Sequence, residues 1–203
     1  MKPTLLSVCV GLEEKKMENR KIKYTKMVIR EGFLSLLAKK PIGKITVKDI
    51  CEHADINRGT FYHYYKDVYH LQQVIEDEMF AKFESMQPLR KNSTLKEITT
   101  AAVSLLNKER EVSRAFLGQH GNTSFIERVL NMCRENTFVL YSDNGIGRED
   151  LDYIYNFMLF GSIKLIKMWV ANDFKQKPEV IIGYISKLSK GSLSMFEKTG
   201  ADE

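Results

Sequence analysis

The sequence predicts an all-α fold built from nine helices. Apolar residues recur at helical spacing along most of the 203 residues, whereas the alternation typical of strands does not persist. Only 4 Pro and 12 Gly interrupt the chain, and residues that cap helices stand between the apolar segments. The hydrophobic content of 43% is sufficient for a sizeable core, so we expect one domain or two small ones.

The first helix is predicted to run from about Lys21 to Lys39, because apolar residues occupy one face and basic residues the other. Residues 1–19 are predicted to be a disordered leader or the product of a start codon assigned too early, since Met17 opens a natural beginning, MENRKIKYTKM. No apolar run reaches the roughly 18 residues that span a bilayer, so we expect no membrane partner.

The next two helices are short and close together. Thr46 is an N-cap with Asp49 three residues later, a variant of the capping box, and a helix follows to about His53. After the link ADI, Asn57 caps a second helix from Arg58 to Tyr64. Two short helices joined by so tight a turn predict a helix-turn-helix, whose second helix is the recognition helix.

Six further helices complete the count, and each begins or ends at a capping or breaking residue. They are predicted at Asp67–Ser85, Thr94–Asn107, Glu109–Leu117, Thr123–Tyr141, Arg148–Asn172 and Pro178–Lys198.

The net charge of +5 is unevenly distributed. Residues 20–66 carry 11 Lys and Arg against 4 Asp and Glu, whereas residues 67–203 carry 17 against 19. A segment with this excess of positive charge attracts polyanions, of which nucleic acid is the usual one. We therefore predict a DNA-binding domain at 20–66 and a helical dimerisation and effector domain at 67–203.

Five consecutive rings, FYHYY, occupy positions 61–65, and a helix cannot bury all of them. Helical spacing assigns Phe61 and Tyr65 to the core and leaves the other three facing outward. In a recognition helix, Arg58 can form a bidentate contact with guanine while neighbouring hydroxyls and ammonium groups contact phosphates. For His63, DNA contact and plain surface remain open. The predicted DNA-contact residues are Thr46, Arg58, Gly59, Thr60, Tyr62, His63, Tyr64 and Lys66.

The stretch ITVKDICEHADINRGTFYHYYKD, within a match from about Tyr24 to Met79, resembles the TetR family of transcriptional regulators. The resemblance implies a nine-helix architecture with three N-terminal helices that bind DNA, and a C-terminal domain that dimerises and usually holds a ligand. All the predicted contact residues except Gly59 match family positions at the DNA surface. Two positions depart from the family, because Asp55 stands where Gly is frequent and Val68 where a phosphate-binding Lys is frequent. Lys66 is expected to replace that Lys. Residues 160–188 resemble the C-terminal domain of a dihydroxyacetone-kinase regulator and its relatives.

The helix 148–172 is apolar nearly all round and needs burial on two sides, so we predict that the last two helices form a four-helix homodimer interface. A monomeric core is the alternative. A ligand cavity among the middle helices is predicted, although plain core is an open alternative for each of its residues. These are Phe116, Phe125, Met132, Cys133, Phe138, Tyr141, Tyr155 and Met158.

The function that these features predict is a repressor that binds a palindromic operator in double-stranded DNA and is released by a small apolar effector. A TetR-like activator or co-regulator controlled by a protein partner is the second hypothesis. An enzyme is disfavoured, because no catalytic triad, paired carboxylates, phosphate loop or metal motif occurs, and no cofactor is expected. The three scattered cysteines form no disulfide framework, which favours the reducing cytoplasm.

Overall fold

A computed structural model describes residues 5–86, 93–121 and 146–196 together with Arg128 and Arg134, and side chains from residue 18 onward. The described residues form eight α-helices and one short 3-10 helix, Ile42–Lys44, with no strand among them, so the predicted all-α class is confirmed. The predicted helix at 123–141 lies outside the described residues, apart from Arg128 and Arg134, which are helical. The eight are α1 (Leu5–Leu37), α2 (Val47–Ala54), α3 (Arg58–Tyr64), α4 (Val68–Ser85), α5 (Leu95–Lys108), α6 (Arg110–Leu117), α7 (Arg148–Ala171) and α8 (Pro178–Ser194).

Helix α1 is much longer than its predicted span. It begins at Leu5 rather than near Lys21, so helical structure extends through most of the residues expected to be a disordered leader. Neither Pro nor Gly occurs between Leu12 and Arg30, and the intervening Glu, Lys and Met residues are strong helix formers. Uninterrupted propensity therefore continues the helix toward the N-terminus beyond its amphipathic part.

The chain divides into two compact units, residues 1–75 and 76–203, and the boundary falls inside α4. In the first unit, α1 packs against α2 and α2 against α3. Its core consists of fully buried apolar side chains from all four helices, each of which stabilises the fold by about 1.5–3 kcal/mol. They include Ile29, Phe33, Leu37, Ile50, Phe61, Leu71 and Ile75.

In the second unit, α5 packs against α6 and α8, and α7 packs against α6 and α8. Trp169, Val103, Leu151 and Ile185 are almost completely buried, and their helices enclose this core. Thr94 caps α5 through a full capping box with Glu97, as its sequence position predicts.

The turn between α7 and α8 contains two consecutive residues in the left-handed region, Asp173 (φ 54°) and Phe174 (φ 56°). Left-handed backbone is tolerated by Gly, Asn and Asp but is unfavourable for Phe, so surrounding contacts must hold Phe174 in it. Phe174 is buried edge-on against Trp169, with the ring centroids 4.8 Å apart, and the Arg114 guanidinium pairs with Asp173 at 2.6 Å. These contacts fix the turn that leads into α8.

Helix α7 is long and apolar enough, by length and composition, to cross a membrane, and 28% of its most apolar window is buried. The sequence prediction counted uninterrupted apolar runs, which Lys164 and Lys167 break. The mean hydropathy of the helix remains high although it contains these two charged residues. The same test is passed by core helices of globular proteins, so the relevant observation is that much of α7 lacks cover within the described chain.

Candidate nucleic-acid interface and internal cavity

The helix-turn-helix begins with the predicted capping box at α2. The Thr46 hydroxyl oxygen accepts a hydrogen bond from the Asp49 backbone N–H (3.1 Å), and the Thr46 N–H donates to the Asp49 carboxylate (2.9 Å). Lys40 donates to the same carboxylate at 2.8 Å, and with Thr46 it lowers the pKa of Asp49 to about 2. The box thus fixes the start of α2, and both the backbone and the side chain of Thr46 interact with Asp49.

The turn between α2 and α3 depends on a left-handed residue. Asp55 has φ 51° and ψ 51°, as expected for an Asp in place of the more frequent Gly. Asn57 then caps α3 by accepting hydrogen bonds from the N–H (2.8 Å) and the hydroxyl (3.1 Å) of Thr60. Both predicted caps are confirmed.

Four of the five consecutive rings lie as helical spacing predicts. Phe61 and Tyr65 are buried, with their ring centroids 5.7 Å apart. Tyr62 is 56% exposed and His63 is exposed. Tyr64 differs from the prediction of an outward ring, because it is half-buried between His63 and the ammonium group of Lys26 on α1, which lies 5.6 Å from its centroid.

The predicted DNA-contact residues lie on two short helices of one unit. Arg58, Gly59, Tyr62, His63 and Lys66 are exposed along and just after α3, and Thr46 is exposed at the start of α2. The exposed surface of α3 thus carries one guanidinium, one phenol and one imidazole, with an ammonium group following. This combination of donors suits base edges and phosphates.

Thr60 and Gly59 have structural roles at the Asn57 cap of α3 that were not predicted from the sequence. The Thr60 hydroxyl proton is donated to Asn57, so the hydroxyl must reorient before it can donate to a phosphate. A Cβ at Gly59 would lie 3.2 Å from the same Asn57 oxygen, so a larger residue there crowds the cap.

The start of α4 explains the departure at Val68. Val68 is buried and takes no part in the exposed surface, whereas Lys66 is exposed two residues earlier. The Lys66 backbone N–H donates to Nδ1 of His70 (3.1 Å), and the His70 N–H donates to the Asp67 carboxylate (2.7 Å). These bonds hold the segment that follows α3 in place.

Sequence reasoning missed Lys26 and Lys40, which support the interface from outside the helix-turn-helix. The Lys26 ammonium group lies over the Tyr64 ring, and Lys40 donates a hydrogen bond to the Asp49 carboxylate of the capping box. Their positive charge was visible in the sequence, but their partners are fixed only when α1 packs against α2.

The second unit contains a cavity of about 110 Å³. Of the predicted pocket residues, Tyr155 and Met158 line it. Phe116 is buried elsewhere, near Met79 and Leu106, because α6 turns that side chain into the core. The remaining five lie outside the described residues, namely Phe125, Met132, Cys133, Phe138 and Tyr141.

Two exposed apolar rows run along α7 and α8, which pack against each other. On α7 the row contains Tyr153, Phe157, Phe160 and Met168, and on α8 it contains Val180, Tyr184 and Leu188, followed by Met195. The intervals of three, four, seven or eight residues, which are close to whole helical turns, place each row on one face of its helix. We call these two rows the apolar seams.

Two family models match the chain. Residues 29–69 match that of the bacterial regulatory proteins of the tetR family, and residues 93–191 match a transcriptional regulator C-terminal region. A curated relative, the HTH-type transcriptional regulator YxbF of Bacillus subtilis, is 23% identical over 161 residues. The alignment covers 75% of this chain and 41% of YxbF, so the chain spans about two fifths of the length of that relative.

Solved structures share the fold. A TetR transcriptional regulator from Streptococcus agalactiae matches with a TM-score of 0.60 and 22% identity, covering 91% of this chain and 99% of its own. FadR of B. subtilis, solved with stearoyl-CoA, matches with a TM-score of 0.55 and 21% identity, and the match covers 85% of this chain and 97% of FadR. The dihydroxyacetone kinase operon activator DhaS matches with a TM-score of 0.54 and 16% identity, and the match covers 86% of this chain and 98% of DhaS.

The family models fall on the regions where the sequence resemblance was seen, and the model of the N-terminal region includes the helix-turn-helix. The prediction that the protein is not an enzyme is also confirmed, because these matches are to regulators of transcription. With the two family models, the curated relative and the shared fold in agreement, the chain belongs to the TetR family of DNA-binding transcriptional regulators.

Proposed function

We propose that the protein is a cytoplasmic homodimeric repressor that binds a palindromic operator and is released by a small apolar effector. The observation that carries the proposal is the exposed surface of α3, where Arg58, Tyr62 and His63 stand on a helix of the size that enters the major groove.

Each exposed side chain has a role in this proposal. Arg58, in the first turn of α3, forms a bidentate contact with a guanine. Lys66 and Thr46 bind phosphates, the Thr46 hydroxyl after it turns away from the Asp49 carboxylate, and Tyr62 and His63 pack on sugars or donate to phosphates. Gly59 and Thr60 act mainly by keeping the cap of α3 intact, and Tyr64 by packing between Lys26 and His63.

The homodimer is supported by the two apolar seams. Exposed rings and leucines in contiguous rows are costly in water and mark an interface. Two adjoining helices that each carry such a row can pair with the same two helices of a second copy as a four-helix bundle. A two-fold dimer then places two α3 helices on the halves of a palindromic site.

Effector release is supported by the cavity in the second unit, which is bordered by α4, α5, α7 and α8. FadR, which shares the fold, was solved with stearoyl-CoA, so this architecture accommodates small molecules in another protein. DhaS, named as an operon activator, motivates the second hypothesis of an activator controlled by a protein partner. A reporter gene behind the operator distinguishes the two, because a repressor lowers its expression and an activator raises it.

The test begins with fluorescence anisotropy on DNA fragments selected from a random library by the full-length protein. We expect the selected sites to be palindromic and to be bound at least about a thousandfold more tightly than scrambled duplexes. Arg58→Ala should weaken binding and relax the preference at one base pair in each half-site, at a cost of about 1–3 kcal/mol.

The matched control is Lys175→Ala, which removes the same charge from an exposed position in the second unit. We expect it to leave the selected sequence and its affinity unchanged. Selection of no sequence at all, or equal losses in the two variants, would overturn the proposed role of α3.

A further inference from the structure

The cavity between α4, α5, α7 and α8 has a lining that restricts the chemistry of its ligand. Among the residues that the structure describes, no side chain that lines the cavity carries a charge. Most are hydrocarbon, such as Leu95 and Ile98 on α5, Ile166 on α7 and Ile185 on α8. An ionised group placed there would lose its hydration without gaining a partner of opposite charge, which is strongly unfavourable.

A few neutral polar groups interrupt the hydrocarbon. Thr99 and Ser189 are buried and reach the cavity from α5 and α8, so their hydroxyls can bond to a neutral polar atom of a ligand. Ser162, on α7, donates its hydroxyl proton to the Met158 carbonyl at 2.6 Å. The lining therefore offers few polar contacts around an otherwise apolar space.

The volume sets the size of the ligand. At about 110 Å³ the cavity is comparable to an apolar cavity of roughly 150 Å³ that takes up benzene. We propose that it binds a small uncharged molecule, a ring or branched hydrocarbon of about benzene size that carries at most one hydroxyl or carbonyl group. Carboxylates, phosphates and amines should bind more weakly, because no described lining residue offers them an opposite charge. This inference rests on the proposed effector function, because it names the chemical class that would occupy that site.

Three probes with one skeleton test the charge requirement: benzyl alcohol, benzoate and benzylamine, each titrated calorimetrically into the full-length protein at pH 7. We expect benzyl alcohol to bind, and benzoate and benzylamine to bind at least about tenfold more weakly, because their charges would be unpaired in an apolar site. Toluene and cyclohexanone should bind as the alcohol does. Benzoate or benzylamine binding as tightly as the alcohol, or absence of binding by all the uncharged probes, would overturn the assignment.

Two variants localise the binding. Ala102 lines the cavity from α5, and Ala101 is its neighbour on the same helix and does not line the cavity. Ala102→Leu fills part of the space and should weaken benzyl alcohol by about tenfold or more, whereas Ala101→Leu should not. Circular dichroism verifies that both variants fold. Equal affinity of the alcohol for both variants would place its site elsewhere and overturn the proposal.

DNA affinity, measured with the same probes, separates this proposal from the one on which it rests. If benzyl alcohol binds in the cavity but leaves operator affinity unchanged, the proposed ligand class is supported, and the proposal that such ligands release the DNA is contradicted. If a charged probe binds in the cavity and releases the DNA, effector release stands and the ligand class is wrong.

Discussion

At the scale of single residues, the recognition surface depends on small polar side chains that use their hydrogen bonds within the protein. Asn57 accepts two bonds from Thr60, and Asp49 accepts bonds from Thr46 and Lys40. These bonds fix where α2 and α3 begin, and therefore where Arg58 points. DNA recognition by this protein is thus prepared by residues that need not touch a base.

Thr46 is expected to contribute to stability as a cap. Thr46→Ala removes the acceptor for the Asp49 N–H and should lower the free energy of unfolding by about 1 kcal/mol, as N-cap replacements do. Urea denaturation followed by circular dichroism measures this loss. Thr100→Ala is the control, because the Thr100 hydroxyl bonds only within the body of α5, to the Lys96 carbonyl. A loss in Thr100→Ala as large as that in Thr46→Ala would contradict the capping role.

The pKa of Asp49 predicts a dependence of stability on pH. Its folded value, about 2, is below the ordinary value of 3.8, chiefly because Lys40 bonds to the carboxylate. A depressed pKa means that the stabilisation is fully present above pH 3.8 and is lost as the pH falls toward 2. The stability difference between wild type and Asp49→Asn should therefore be constant above about pH 5 and shrink between about pH 4 and 2.

Urea titrations of both proteins across this range provide the measurement, and carboxylates common to both cancel in the difference. Lys40→Met should reduce the difference at neutral pH, because it removes the main cause of the pKa shift. A difference that does not change with pH would show that Asp49 acts only as a neutral hydrogen-bond acceptor.

At the scale of elements, α7 has two apolar faces with different surroundings. One face, which includes Tyr155 and Met158, borders the cavity, and the other carries the exposed Phe157 and Phe160. An α-helix of this kind requires a partner on each side. If the second partner is another copy, a ligand in the cavity and the dimer interface lie on opposite faces of the same helix.

The apolar seams predict that α8 drives self-association. Leu188 is 62% exposed in the middle of its seam, so Leu188→Glu should place two buried charges in the dimer and raise the dimer dissociation constant by at least about a hundredfold. Sedimentation velocity over a range of protein concentrations would detect the monomer. Lys190→Glu, at an exposed position outside the seam, is the control and should leave the dimer intact.

The length and hydropathy of α7 make lipid a competing partner for the same surface. Liposome flotation of the wild type distinguishes the two partners. Protein that floats with vesicles and remains monomeric without them would contradict the dimer, whereas a dimer that stays in the aqueous fraction would support it.

At the scale of the whole molecule, the charge is divided along the chain. The excess positive charge is confined to residues 20–66, and the rest carries slightly more acidic than basic residues. Nucleic acid should therefore be attracted to the first unit, and this attraction should weaken steeply as salt displaces condensed counterions.

Salt dependence offers a test of the phosphate contact assigned to Lys66. In a plot of log affinity against log salt concentration, Lys66→Ala should reduce the slope by about 1 and weaken specific and scrambled DNA alike. Arg58→Ala should instead reduce mainly the preference for the operator. Lys175→Ala should change neither quantity, and an unchanged slope in Lys66→Ala would refute the phosphate contact.

The sequence determined the local structure and the family. The caps at Thr46, Asn57 and Thr94, the left-handed Asp55 and the burial of Phe61 and Tyr65 followed from hydrogen-bonding capacity and helical period, which act over a few residues. Helix propensity between Leu12 and Arg30 favours the extension of α1 beyond the span predicted from its amphipathic face. Where the signal depended on a few neighbouring residues, as at the caps, the prediction was correct, whereas the predicted exposure of Tyr64 was not.

Only the tertiary structure decided which apolar side chains enclose space and which fill it. Phe116 and Met158 have the same apolar character in the sequence, yet the first is core elsewhere and the second lines the cavity. The half-burial of Tyr64 under Lys26 and the bond from Lys40 to Asp49 likewise depend on the packing of α1 against α2. Hydrophobic attraction is not directional, so the sequence shows that a side chain will be buried but not which neighbours it will meet.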